Sequence, residues 1–173
     1  METAVFKQFC QLNDDVPYLG LDKSDYSGYS CDPIGVKTFA DLGVDGVHFG
    51  FIDGFGEMVF AVSPMGIVGK QVNPLAYSFK DFLGLVLACK NSSPLEQIYW
   101  MTKEQFDDLL IEDMKNVFEA QETSLSIIRS KLGIEPIYNP YNYVREIQTS
   151  FDYSQLKFSD EYYEQTGFDK PNK

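Results

Sequence analysis

Residues 43–62, GVDGVHFGFIDGFGEMVFAV, carry the clearest β-sheet pattern in the chain. Two short apolar and aromatic runs, residues 47–52 and 57–62, are typical of β-strands. The residues between them, 53–56, contain an Asp-Gly pair, which supplies the positive φ angles that a hairpin turn needs. The stretch therefore predicts a β-hairpin, and a further turn at residues 44–47 leads into its first strand.

Further strands are predicted on both sides of this hairpin. Apolar residues at Ile34, Val36 and Phe39 begin the β-rich region, and later strands are predicted at residues 66–72 and near residues 75–77. Helical patterns stand before and after these closely spaced strands. The order of elements therefore favours an α+β fold, with a twisted, mixed or antiparallel sheet that is flanked by helices and covered on one face.

Apolar spacing and capping residues predict the helices. A short helix covers residues 3–12, and a second helix opens at Ser78, whose hydroxyl can cap it. Capping boxes start two more: a brief helix over residues 93–98 and one long C-terminal helix over residues 102–132. Gly133 is the expected stop for this long helix.

The chain has 173 residues, a length that favours a single domain over residues 1–173. A helical, Tyr-rich extension is expected from about residue 134. Residues 134–142 include two prolines and are predicted to form a hinge. A short helix is predicted near residues 159–165.

The charge balance excludes several classes of partner. The chain has 14 Lys and Arg residues against 26 Asp and Glu residues, which gives a formal net charge of −12. Nucleic-acid binding needs clustered basic residues, and anionic membrane surfaces attract basic segments. The longest apolar run, residues 82–89, is far shorter than the roughly 20 residues of a membrane span. We therefore expect neither nucleic acid nor membrane as a partner.

The cysteines indicate a reducing compartment. Cys10, Cys31 and Cys89 form no metal-binding spacing, and their odd number is typical of a chain with thiols rather than disulfides. Cys10 and Cys89 stand among apolar residues and are expected to be buried. The N-terminus lacks the pattern of a signal peptide, so a cytoplasmic location is expected.

Motifs for catalysis are weak. His48 is the only histidine, and a Cys31/His48 dyad is the one nucleophilic arrangement available. The simpler interpretation of His48 is a strand histidine hydrogen-bonded to its surroundings. A carboxylate-dependent hydrolase needs two acids about 5–9.5 Å apart across a cleft, and in a chain with 26 acids adjacent pairs arise by chance. No phosphate-binding, calcium-binding or other metal pattern is found, so neither an enzyme nor a cofactor is predicted.

The distribution of acids is more informative. Residues 14–57 contain nine acidic residues against two lysines, and the loop at residues 17–33 combines acids with tyrosines. One interpretation is a solvated acidic surface that keeps the protein soluble. The alternative is a surface that steers a basic protein partner and contacts it through aromatic anchors. The residues predicted to bind in this way are Asp22, Asp25, Tyr26, Tyr29 and Asp32.

Three segments resemble the SUKH superfamily, also called SMI1/KNR4-like. They are residues 43–51, with a Gly/Asp-Gly turn before a strand, residues 59–65, which form the next strand, and residues 76–83, in which Ser-Phe-x-x-Phe-Leu opens a helix. The resemblance covers roughly residues 34–90. The long helix and the Tyr-rich tail extend beyond the usual core of that family.

The resemblance implies an α+β fold and a role in protein binding rather than catalysis. Many bacterial members are immunity proteins that neutralise toxin domains, often nucleases, while eukaryotic members are associated with cell-wall regulation. A basic nuclease would suit an acidic partner. We therefore expect a toxin-neutralising protein. Alternatives are a regulatory subunit in cell-wall metabolism, a small hydrolase, and a structural protein that self-associates through the apolar stripe of residues 106–132.

Overall fold

The computed structural model describes residues 3–12 and 16–170. The elements, in chain order, are α1 Ala4–Leu12, β1 Asp22–Lys23, β2 Val36–Asp41, β3 His48–Ile52, β4 Val59–Val62, β5 Val72–Ala76, α2 Phe79–Cys89, α3 Ser93–Gln97, α4 Lys103–Lys115, α5 Glu119–Leu132, α6 Pro140–Ser150, a 3-10 turn Tyr153–Gln155 and α7 Asp160–Thr166.

The strands form one antiparallel sheet in the order β1-β2-β3-β4-β5, which confirms the predicted α+β fold. The Asp-Gly turn joins β3 to β4, and Gly54 has a φ of 97°. The strand predicted at residues 66–72 is wrong, because residues 63–71 form the link between β4 and β5. The fifth strand contains Pro74, which an edge strand tolerates since its outer N–H groups need no partner.

Helix α2 packs against one face of the sheet, and most of its residues are buried. Its Ser78 cap is confirmed, since the hydroxyl accepts a hydrogen bond from the Asp81 amide. Phe6 of α1 meets Phe39, Phe51 and Phe79 edge-on, with ring centroids 5.0–5.6 Å apart. These aromatic contacts hold α1 and α2 on the main core.

The opposite face of the sheet is covered as well, so the expectation of one covered face is wrong. Phe60 and Val62 of β4 point into a second core, while Val59 and Ala61 between them belong to the first, as the two-residue repeat of a strand requires. Leu156 and Tyr162 close this second core. The Tyr-rich extension is therefore part of the packed structure.

The single long helix predicted over residues 102–132 is also wrong, because it is divided into α4 and α5. The Asn116 side chain donates to the Glu112 carbonyl, and the Asn116 amide bonds to Asp113, so the helix closes there. The capping box at Thr102 is confirmed, as is the stop at Gly133, whose φ is 62°. Apolar periodicity alone did not reveal the break.

Smaller expectations have mixed outcomes. The predicted helix near residues 159–165 is confirmed as α7, but α6 was not predicted.

Cys89 is buried as expected, whereas Cys10 is exposed on α1. The capping box predicted at the start of α3 is wrong. The helix already includes Ser93, and the N-cap residue is Ser92, whose side chain makes no capping hydrogen bond. No helix in the described part of the chain is long and apolar enough to cross a bilayer.

Candidate protein-binding site

One end of the sheet gathers the loops that carry the predicted binding residues. The strand register pairs Asp22 with Asp41, Asp41 with His48, His48 with Val62, and Val62 with Val72. The β2–β3 turn and the β4–β5 link therefore lie at the same end of the sheet as the start of β1. We call this region the acidic end. Its carboxylates are Asp22, Asp41, Asp45 and Glu96.

Four of the five predicted binding residues are exposed; Asp22 lies at this end, whereas Asp25 lies farther along the sheet, in a pocket lined also by Thr38 and Phe39. Asp22 and Asp25 are exposed, and Tyr26 is 57% and Tyr29 36% exposed. The two tyrosine rings meet edge-on with centroids 5.5 Å apart. Asp14 and Asp15, which belong to the same acidic stretch, lie outside the described residues.

Asp32 has a different position from the other four. One of its oxygens, Oδ2, accepts hydrogen bonds from the amides of Gly28 and Tyr29, at 2.6 and 3.1 Å. The other, Oδ1, lies 3.1 Å from Nε2 of His48 without the alignment of a hydrogen bond, and the Asp32 side chain is only 9% exposed. Asp32 therefore holds the loop in shape and is poorly placed to meet a partner.

His48 is buried behind this loop and anchors it. Its Nδ1 lies 2.8 Å from the Gly46 carbonyl, which confirms the interpretation of a hydrogen-bonded strand histidine. The Tyr29 ring stacks on the imidazole, with centroids 5.8 Å apart and planes 18° from parallel. Gly46 has a φ of 69°, and a Cβ there would collide with the Tyr29 phenol. Glycine at this position thus lets the tyrosine pack against the turn.

The Cys31 thiol lies in the second core and is unsuited to nucleophilic catalysis. Burial, together with the neighbouring Asp32 charge, raises the pKa of Cys31 to about 11. A catalytic cysteine needs a lowered pKa, because the thiolate is the nucleophile. At neutral pH the Cys31 thiol stays protonated.

A pocket of about 310 Å³ opens beside the β2–β3 turn. Its polar groups include Asp45, Ser63 and Glu96, and Tyr99 and Trp100 form part of its wall. The Ser63 hydroxyl donates to Glu96 Oε2 at 2.9 Å. Burial raises the pKa of Glu96, and the nearby Asp45 charge raises it further. We call this the acidic pocket.

Apolar side chains surround the acidic pocket. Met65 is 79%, Ile67 53% and Trp100 49% exposed, and all three line the pocket. Exposed apolar groups that line a pocket mark interaction sites more often than those scattered singly. Sequence reasoning missed Glu96 and Trp100, although the only tryptophan of the chain, just after α3, was a visible signal.

Neither a comparison with models of protein families nor comparisons with curated proteins and with solved structures find a match to this chain. Among residues 3–12 and 16–170, no group of three or more His, Cys, Asp or Glu side chains could hold a metal ion. The candidate site consists of carboxylates, exposed tyrosines and an apolar, aromatic-walled pocket at one end of the sheet.

Proposed function

We propose that this chain is a non-enzymatic protein-binding domain that receives a basic partner at the acidic end. The observation that carries the proposal is the acidic pocket, where Glu96 and Asp45 lie beside Trp100. A lysine or arginine side chain of a partner fits such a pocket, because its charge can pair with the carboxylates and its apolar stem or its cation can contact the aromatic wall.

The surroundings of the pocket support the same function. A net charge of −12 attracts a basic protein over distances of about a Debye length and speeds encounter. Tryptophan and tyrosine dominate binding hot spots, and Trp100, Tyr26 and Tyr29 are exposed. Long-range steering by the acids and short-range contact by the aromatic rings therefore act at one end of the molecule.

The particular role that we propose is neutralisation of a toxin, as in bacterial immunity proteins, with a basic nuclease as the best-suited target. The resemblance of residues 43–51, 59–65 and 76–83 to the SUKH superfamily supports this role. A nuclease presents positive charge to phosphate, and an acidic partner can occupy that surface. A regulatory subunit of cell-wall metabolism would use the same surface and differ in its partner.

The test is a tagged pull-down from lysate of the native host at low and high salt, followed by binding kinetics with the partner identified. Asp22→Lys/Asp25→Lys should slow association markedly. The matched control is Glu104→Lys/Asp108→Lys, which changes the net charge equally at two exposed positions on α4. Equal slowing in both variants would show that net charge alone matters, and it would remove Asp22 and Asp25 from the interface.

A small carboxylate-dependent hydrolase is the second candidate, because Asp45 and Glu96 line one pocket and Glu96 has a raised pKa. Such a carboxyl can act as a general acid. A panel of glycoside and ester substrates, assayed with the wild type and Glu96→Gln, separates the two functions. Turnover that is lost in Glu96→Gln would favour the hydrolase.

A further inference from the structure

A second pocket, of about 340 Å³, shares Tyr99 with the acidic pocket as a lining residue. Its polar lining includes Lys70, Asn73, Arg145 and Gln148, and the residues that line it include no Asp or Glu. This is unusual in a chain with nearly twice as many acidic as basic residues. We call it the cationic pocket.

Gln148 supplies the observation that points to a ligand. The residue is only 6% exposed, and its Oε1 accepts a hydrogen bond from Arg145 Nη1 at 3.1 Å. This contact fixes the orientation of the amide, since the reverse orientation would set two donors against each other. The Nε2 group is buried and has no hydrogen-bond partner within the described residues. A buried donor of this kind needs an acceptor.

Arg145 is held in place from inside the fold. Its Nη1 also donates to the Tyr99 carbonyl at 3.4 Å, while Nη2 and Nε make no hydrogen bond to the described part of the chain. Burial raises the pKa of the nearby Tyr153, and the Arg145 charge opposes that shift. The positive charge of Arg145 thus acts on Tyr153, which lines the same pocket.

We propose that the cationic pocket binds a small molecule through an oxyanion, a carboxylate or a phosphate. Arg145 and Lys70 supply charge, and the Gln148 amide supplies a directed donor, which together match the acceptors of such a group. The volume exceeds that of a bare oxyanion, so Tyr99 and Tyr153, which also line the pocket, can contact the rest of the molecule. This site is independent of the protein-binding function proposed above.

The test is an NMR titration of the full chain that follows the Gln148 side-chain amide, with inorganic phosphate and citrate as separate probes. Saturable binding that shifts this resonance is expected for at least one probe, and the probe that binds tells phosphate from carboxylate. Lys70→Gln and Gln148→Glu should each weaken binding about tenfold or more. The matched control is Lys80→Gln, which removes one charge from another exposed lysine.

Two results would overturn the proposal. One is the absence of saturable binding by both probes at millimolar concentration. The other is equal weakening in Lys70→Gln and Lys80→Gln, which would mean that only overall charge attracts the ions. Because Lys70 is exposed, its variant keeps the test decisive even where Gln148→Glu does not fold.

Discussion

The Asp32 carboxylate lies 3.1 Å from the His48 imidazole, and both side chains are almost fully excluded from solvent. The same carboxylate accepts two backbone amides of the loop, and the histidine carries the stacked Tyr29 ring. This pair therefore fixes the loop on which Tyr26 and Tyr29 are exposed.

The first prediction concerns Asp32→Asn. The variant should lower the free energy of unfolding by about 1–3 kcal/mol, because the two loop amides lose their charged acceptor. Chemical denaturation measures this loss. Asp25→Asn, at an exposed neighbouring acid with no such contacts, is the control and should leave stability nearly unchanged. Equal stability of the two variants would contradict the role given to Asp32.

The second prediction is a pH dependence caused by Glu96. Its pKa is raised in the folded protein above the ordinary 4.5, so the folded state holds the proton over a range of pH in which the unfolded state has released it. The contribution of Glu96 to stability therefore falls as pH rises from 4.5 through the raised value. Glu96→Gln should unfold at a higher temperature than the wild type at pH 7, with a smaller difference at pH 4.

The same substitution should weaken binding of the basic partner at pH 7, because the pocket loses a negative charge. Glu104→Gln, on the exposed surface of α4, serves as the control for both measurements. A Glu96→Gln variant that is less stable than the wild type at pH 7 would show that the Ser63 hydrogen bond outweighs the cost of burying the charge.

The third prediction concerns thiol reactivity. Cys31 and Cys89 should resist alkylation by iodoacetamide at pH 7.5 in the native protein and react after unfolding. Both are buried, and burial raises the pKa of each. Mass spectrometry of digested samples gives the labelling of each site. Rapid native labelling of Cys31 would instead support a reactive Cys31/His48 dyad.

The fourth prediction concerns Trp100→Ala. Loss of the indole should weaken partner binding by about 2 kcal/mol, or roughly 30-fold, and should change stability little because the side chain is half exposed. Ile111→Ala on α4 removes a comparably exposed apolar group and is the control. Calorimetric titration measures the binding of the partner by both variants. Similar losses for the two variants would remove Trp100 from the interface.

Much of the fold could be predicted from local signals. The Asp-Gly turn predicted the β3–β4 hairpin. Ser78 predicted the start of α2, and Gly133 predicted the end of α5. The break at Asn116 could not, since the apolar spacing continues through it. Strand β5 was predicted at the wrong residues because it contains Pro74. Proline disfavours a strand in general, and only the edge position of β5 permits it.

The candidate site was predictable only in part. The tyrosines and acids of one loop stand together in the sequence, and so the sequence could predict them as a candidate site. Asp45, Glu96 and Trp100 are 55 residues apart at their extremes and meet only when α3 packs beside the β2–β3 turn. Asp32 likewise lies in the loop before β2, and the buried His48 that it approaches belongs to β3, a juxtaposition that the sequence does not display.

Leu156 and Tyr162 cover one face of the sheet, and both come late in the sequence. This position determines when that face can be covered during synthesis. Ile34 donates its amide to the Lys157 carbonyl, and Ser30 donates its hydroxyl to Gln165, so residues 30–34 are hydrogen-bonded to residues that are translated more than 120 positions later. On the ribosome, the face that holds Phe60 and Val62 stays open until α7 has emerged. A nascent chain can therefore form these two contacts only when this late segment has been made.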